Sequence, residues 1–262
     1  RVAVDNRLGR DTTVHWHGLR IANAMDGVPG LTQKPIAAGA GFVYEFTPPD
    51  AGTFWYHPHV ATSEQLGRGL YGVVIVEEPS PIAVDRDVVW VLDDWRLTRE
   101  AAVHESFGDL RDASHAGRIG NTVTINGRLP DTFAVRAGER VRLRLVNTAN
   151  ARIFSLSFEG HAPQVIALDG QPVAPHAPEG GRVVVAPAQR VDLVVDMAGD
   201  PGSRHRVIDS RDPRRPFRLV DLVYGRALPL RASPLDAPIR LAANRLPEPD
   251  LATARRHDVV LA

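Results

Sequence analysis

Two short stretches concentrate the chemistry of this sequence: Thr13-Val14-His15-Trp16-His17-Gly18 and Gly52-Thr53-Phe54-Trp55-Tyr56-His57-Pro58-His59. Each carries a His-x-His triplet at the end of a run with strand character. On a β-strand, residues i and i+2 share a face and lie roughly 6.5–7 Å apart. Each triplet therefore offers two imidazoles side by side, and two such strands can present four to one cavity. Imidazole serves Zn, Cu, Fe and Ni, and an all-nitrogen donor set without thiolate or carboxylate leans toward copper or zinc. One histidine beside a core is often a packing residue. Four of the 10 histidines gathered in two triplets need another reason. The chemistry is metal binding.

Composition narrows the classes. Lys+Arg and Asp+Glu are both 31, so net charge gives no reason to expect nucleic acid or an anionic membrane surface as partner. Lys34 is the only lysine, and the abundance of Arg, Ala, Gly and Pro fits the codon bias of a GC-rich, bacterial genome. There is no cysteine, which excludes disulfides, thiolate-held zinc, iron–sulfur clusters and a blue-copper site within these residues. No stretch approaches the ~20 consecutive apolar residues of a membrane span. The sequence opens at Arg1-Val2-Ala3-Val4, already in strand-like alternation, so a first domain truncated at its N-terminus is expected.

The elements that must position the histidines are short β-runs punctuated by Gly, Pro, Asn and Asp. Strands are expected over 1–8, 12–17, 42–46 and 53–59, with a long loop over 19–41 and a buried strand over 70–77. Pro79-Ser80-Pro81 closes this unit. From Asp87 a second series begins, with strands over 88–92, 122–125, 133–135, 141–146, 153–158, 164–167, 182–185 and 191–196. A polar excursion over 99–118 has room for a short helix. The strict alternation Glu139-Arg140-Val141-Arg142-Leu143-Arg144-Leu145 predicts one buried and one solvated face. Many short strands at this spacing favour sandwiches or barrels over a parallel α/β sheet. The expected division is 1–80 and 87–209 as two domains, 210–255 as a Pro-rich linker draped over the surface, and 256–262 as the start of a further domain.

At these motifs the sequence resembles the multicopper oxidases. "TTVHWHG", "GTFWYHPH" and "GLYGVVIVEEP" are similar to the first cupredoxin domain of that family. "INGRLPDTF", "RLRLVNTANAR", "IALDGQPV" and "APAQRVDLVVD" are similar to its second, copper-free cupredoxin domain. The nearest resemblance is to three-domain bacterial laccase-like enzymes, periplasmic cuprous oxidases among them. It implies an all-β fold of two cupredoxin-like Greek-key sandwich or barrel domains, in a periplasmic or secreted protein. By motif match His15 would bind a type 2 copper, His17 and His57 one type 3 copper, and His59 the other. Asp26, eleven residues after His15, stands where bacterial relatives carry a carboxylate near the type 2 copper. It would hold a cluster water or relay protons to oxygen; as an Asp before Gly27 it is equally a turn former. Trp16, Trp55 and Tyr56 should face the core, opposite the ligands. His104, His115, His161, His176, His205 and His257 are scattered singly and read as surface or capping residues.

The resemblance also implies what is lacking. A trinuclear copper cluster in this family takes eight histidines, four from the last domain, and the type 1 site there requires a cysteine. These residues would supply half a cluster and be inactive alone. The favoured function is part of an oxidase that couples one-electron oxidation of a phenolic, aromatic or metal-ion reductant to four-electron reduction of O2 to water. The alternatives are a two-domain laccase completing its cluster across an oligomer, and a non-catalytic copper-binding or scaffold protein. Copper nitrite reductases have different ligand motifs. Only Met25 and Met197 are present, so no methionine-rich copper insert is visible.

Overall fold

The computed structural model describes residues 1–246 and 250–260. Its first five strands are β1 (Val2–Asp5), β2 (His15–His17), β3 (Gly41–Tyr44), β4 (Gly52–His57) and β5 (Gly72–Val76). They form a β1-β3 pair and a three-stranded sheet in the order β2-β4-β5, both antiparallel. Between them sit Trp16, Leu19, Ile36, Tyr44 and Phe54, all buried. The central strand β4 is buried at every position but Tyr56, so β2 and β5 flank a fixed rail. The helix α1 (Thr62–Gly67) follows the second triplet. Its Gln65 is buried; it accepts from the Thr12 hydroxyl at 2.6 Å and donates to the Asp11 carbonyl at 2.9 Å. The apolar run 70–77 forms β5 as expected, but every residue of the strand, Gly72–Val76, is only half-buried because it lies at the sheet edge.

The later strands are β6 (Arg86–Trp95), β7 (Thr122–Ile125), β8 (Thr132–Val135), β9 (Arg140–Asn147), β10 (Phe154–Phe158), β11 (Gln164–Leu168), β12 (Gln171–His176), β13 (Val183–Val185), β14 (Arg190–Asp196), β15 (Arg204–Asp209) and β16 (Phe217–Tyr224). They build a six-stranded sheet, β12-β11-β14-β9-β6-β7, and a five-stranded sheet, β13-β10-β15-β16-β8. Pairing is antiparallel except for β6 with β9 and β8 with β16. Leu92, Leu145, Phe154, Leu156, Val185, Leu193 and Val207 lie at zero exposure in the core between them. The polar excursion contains α2 (Leu110–Ser114), capped by the Asp109 side chain accepting from the Arg111 amide. The chain is all-β, as its sequence predicts, and no described helix is long and apolar enough to cross a membrane.

Three expectations need correction. The stretch 210–255 is not all linker, because Phe217–Tyr224 is β16, paired with β15 and β8. The dense prolines downstream mask the mostly apolar run FRLVDLVY, whose Leu219, Val220 and Leu222 are buried. The remainder does cross the surface, but it is pinned. Leu241 packs with Ile166, Ala167 and Val194, and the Asn244 side chain pairs with both backbone groups of Ala51. Over 256–260 no strand forms, and 261–262, like Pro247 and Pro249 of the linker, lie outside the described residues.

The third correction is the larger one. The arginine face of β9 is not solvated: Arg140, Arg142 and Arg144 are 6 %, 1 % and 3 % exposed. Arg142 donates to Glu78 at 2.7 Å and to Asp192 at 2.8 Å. Arg144 makes a two-pronged pair with Asp87, both bonds at 2.7 Å, and donates to the Thr53 hydroxyl at 2.9 Å. Thr53, on β4, donates in turn to Asp192 at 3.0 Å. Alternation reports two faces but not what covers the second one. Here the cover is the strand that carries His57.

Candidate metal centre

β2 and β4 pair in the register His15↔His57, Trp16↔Tyr56 and His17↔Trp55. Opposed residues in an antiparallel pair share a face, so His15, His17 and His57 meet on one side of the sheet. Their ring centroids are 5.3–5.5 Å apart in all three pairings. One donor nitrogen from each lies within 4.8 Å of the others, the one group of three or more potential metal ligands among the described residues. His59 follows the end of β4 and is exposed; its ring is 5.3 Å from His15 and 6.1 Å from His57, and its amide donates to the Thr13 hydroxyl at 3.0 Å. Of the four histidines expected at the site, three converge and the fourth stands at its rim.

Backbone carbonyls orient the rings. His15 Nδ1 lies 2.8 Å from the Asp26 carbonyl, and His57 Nδ1 lies 2.9 Å from that of Pro58. Each Nδ1–H is the donor there, which leaves Nε2 unprotonated and free to ligate. His17 turns the other nitrogen inward: its Nδ1 is 3.2 Å from His57 Nε2. Two nitrogens at that separation subtend roughly 105° at a metal with bonds of about 2.0 Å. The donor set therefore fits copper or another borderline ion, with His17 and His57 on the same one. Protonation favours this too. Burial, then the neighbouring charge of Arg190 and the other imidazoles, pulls His17 down to about 3. Burial also holds His57 at about 4 against the raising effect of the Pro58 carbonyl. Both rings are neutral, the ligating form, near neutral pH.

The aromatics divide differently from expectation. Trp16 is buried in the core against Tyr44 and Phe46, as predicted. Trp55 is not opposite the ligands. It lies two residues before His57 and across from His17, so its ring packs at 4.4 Å on the first and 5.0 Å on the second. Strand parity required this, since i and i+2 share a face. Tyr56 has the core-side parity but is 36 % exposed. Asp26 closes the 3-10 turn Asn23–Met25 and presents both its carbonyl and, at 3.3 Å, its carboxylate to His15 Nδ1. Gly27 has φ +77°, and a Cβ there would stand 1.9 Å from the Val14 carbonyl. The turn is thereby pressed against the backbone just before His15. Among the other histidines, His161 and His205 are not isolated: their rings are 5.0 Å apart and His161 Nε2 is 2.5 Å from the Tyr224 hydroxyl. Sequence reading also missed Arg190, which reaches from the second group of strands to Gly18, the residue after His17. No local signal links it to the triplets.

An imidazole cluster held by one β-sheet, with a second sandwich packed behind it, defines an all-β metal-binding protein. Two family profiles, both described as multicopper oxidase, match residues 1–81 and 86–205. The chain belongs to the multicopper oxidase family, and its sheets are cupredoxin-like. It is similar to the multicopper oxidase MmcO of Mycobacterium tuberculosis, 34 % identical over 226 residues, covering 76 % of this chain and 44 % of that protein. It is also 35 % identical over 209 residues to Laccase-1 of Botryotinia fuckeliana, covering 74 % and 35 %. The crystal structure of a multicopper oxidase from Pseudomonas thermotolerans superposes with a TM-score of 0.86 at 36 % identity, covering 97 % of this chain and 59 % of that one. The chain spans less than half the length of these curated relatives.

Proposed function

We propose that this chain supplies the first-domain half of a trinuclear copper cluster in a laccase-like oxidase. His15 takes a type 2 copper, His17 and His57 one type 3 copper, and His59 the other. The observation that carries the reading is the approach of His17 Nδ1 to His57 Nε2 at 3.2 Å, with both rings neutral. Copper held there would supply the redox chemistry by which four one-electron oxidations of a phenolic, aromatic or metal-ion reductant, with four protons, take one O2 to two waters.

The chain's own residues do the positioning. The Asp26 and Pro58 carbonyls fix the tautomers of His15 and His57, and Trp55 excludes water from the buried side of His17 and His57. The Asp26 carboxylate, 3.3 Å from His15 Nδ1, holds or passes a proton at the edge of the site. The domains proposed are 1–80 and 87–209, the second extended through β16. The remaining four histidines and a cysteine-bearing type 1 site belong to a further cupredoxin domain. A periplasmic or secreted location goes with this reading. In a polypeptide carrying that further domain, His17→Ala together with His57→Ala abolishes O2 uptake. Uptake at the unsubstituted rate would overturn the assignment. The 262 residues by themselves, loaded with copper, should show no blue absorption band and oxidise no phenol.

A further inference from the structure

Arg190 opens β14 in the second sandwich, yet its side chain serves the first. It is 3 % exposed. Its Nε–H donates to the Thr53 carbonyl on β4 at 3.3 Å, Nη1 to the Ala188 carbonyl at 2.9 Å and Nη2 to the Asp169 carbonyl at 3.0 Å. All three acceptors are neutral. The carboxylate in reach is that of Asp169, 3.1 Å from Nη1, and its side chain is 53 % exposed. Asp192, on the same strand, is already claimed by Arg142 and Thr53. A buried cation is thus held mostly by carbonyl dipoles, with one carboxylate that water screens.

The cradle is strained. Ala188 and Asp169 both have positive φ, 69° and 51°, and both aim their carbonyls at this guanidinium. Such strain persists where the surroundings over-determine it, and it gathers at functional sites. On the other side, Nη2 occupies the space of a missing side chain: a Cβ on Gly18, φ +86°, would stand 2.3 Å from it. Gly18 directly follows the ligand His17.

We propose that Arg190 is a positioning residue of the metal centre, fixing the His17–Gly18 turn from the second sandwich and biasing the centre toward anions. Hydroxide and other anions that O2 reduction generates are the class of ligand it favours. A clamp between domains would need the hydrogen bonds but not a cation left largely uncompensated. The inference rests on copper binding at the histidines, and its test separates the two.

The probe is azide, titrated into the copper-loaded full chain and followed by its charge-transfer absorption. Arg190→Gln should weaken azide binding about tenfold at equal copper content, whereas Arg190→Lys, which keeps the charge, stays within about threefold. Asp169→Asn removes the opposing carboxylate from an exposed position and should tighten azide about twofold. Unchanged azide affinity in Arg190→Gln would overturn the proposal, as would equal losses in the Gln and Lys variants. If Arg190→Gln does not fold, Asp169→Asn decides, and weaker or unchanged azide binding there has the same force. Failure of the unsubstituted chain to bind copper would instead overturn the copper reading itself.

Discussion

An imidazole ligates only when its inward nitrogen carries no proton, and here that nitrogen is chosen by main-chain atoms. The Asp26 carbonyl orients His15, so the identity of the residue at 26 matters less for copper binding than the path of the turn. Asp26→Asn should leave copper affinity unchanged while slowing O2 reduction in an oxidase that carries this chain. Gly27→Ala should do the reverse to copper: its Cβ would collide with the Val14 carbonyl and push the Asp26 carbonyl off His15. Loss of such an orienting partner weakens metal binding about 10–100-fold. A competition titration against a chelator measures both variants. Wild-type affinity in Gly27→Ala would show that the turn does not set the ligand.

At the scale of elements, the ligand strand β4 is fixed by charge as well as by packing. Asp192, 1 % exposed, receives Arg142, Arg144 and the Thr53 hydroxyl. Asp192→Ala leaves buried arginines without their partner and should cost about 3–5 kcal/mol in urea unfolding. A loss under about 1 kcal/mol would mean the network is solvated in solution. A second seam joins Tyr71, just before β5, to Asp93 on β6 by a 2.7 Å hydrogen bond. Burial raises Asp93 to about 6 from 3.8. Between those values the folded chain holds more protons than the unfolded one, so this contribution is full below 3.8 and declines as pH rises through 6. The stability of Asp93→Asn relative to the unsubstituted chain should therefore improve from about pH 4.5 to about pH 7.5. Thermal unfolding at both values tests it; a difference independent of pH refutes the buried-acid account. These elements also show where sequence reading stops. Period-2 alternation made β2, β4 and β9 legible, and it implied that Trp55 shares the His57 face. It could not say that β9 turns its arginines against another domain, because burial of a polar face depends on what packs there. The strand β16 was hidden by its Arg/Pro-rich flanks.

For the whole molecule, the site is a property of two sandwiches rather than of two motifs. The triplets alone named His15, His17, His57 and His59, and the resemblance named the metal. Arg190 and the pinning contact of Asn244 on Ala51 arise only once the second unit docks, from residues more than a hundred positions away. The proposal that His17 and His57 hold one copper between them is tested most directly by electron paramagnetic resonance during Cu(II) titration of the chain. The first equivalent should show hyperfine splitting from two imidazole nitrogens, and His17→Ala with His57→Ala should remove that signal while the fold persists. The same nitrogen signal in the double variant, or none in the unsubstituted chain, would contradict it.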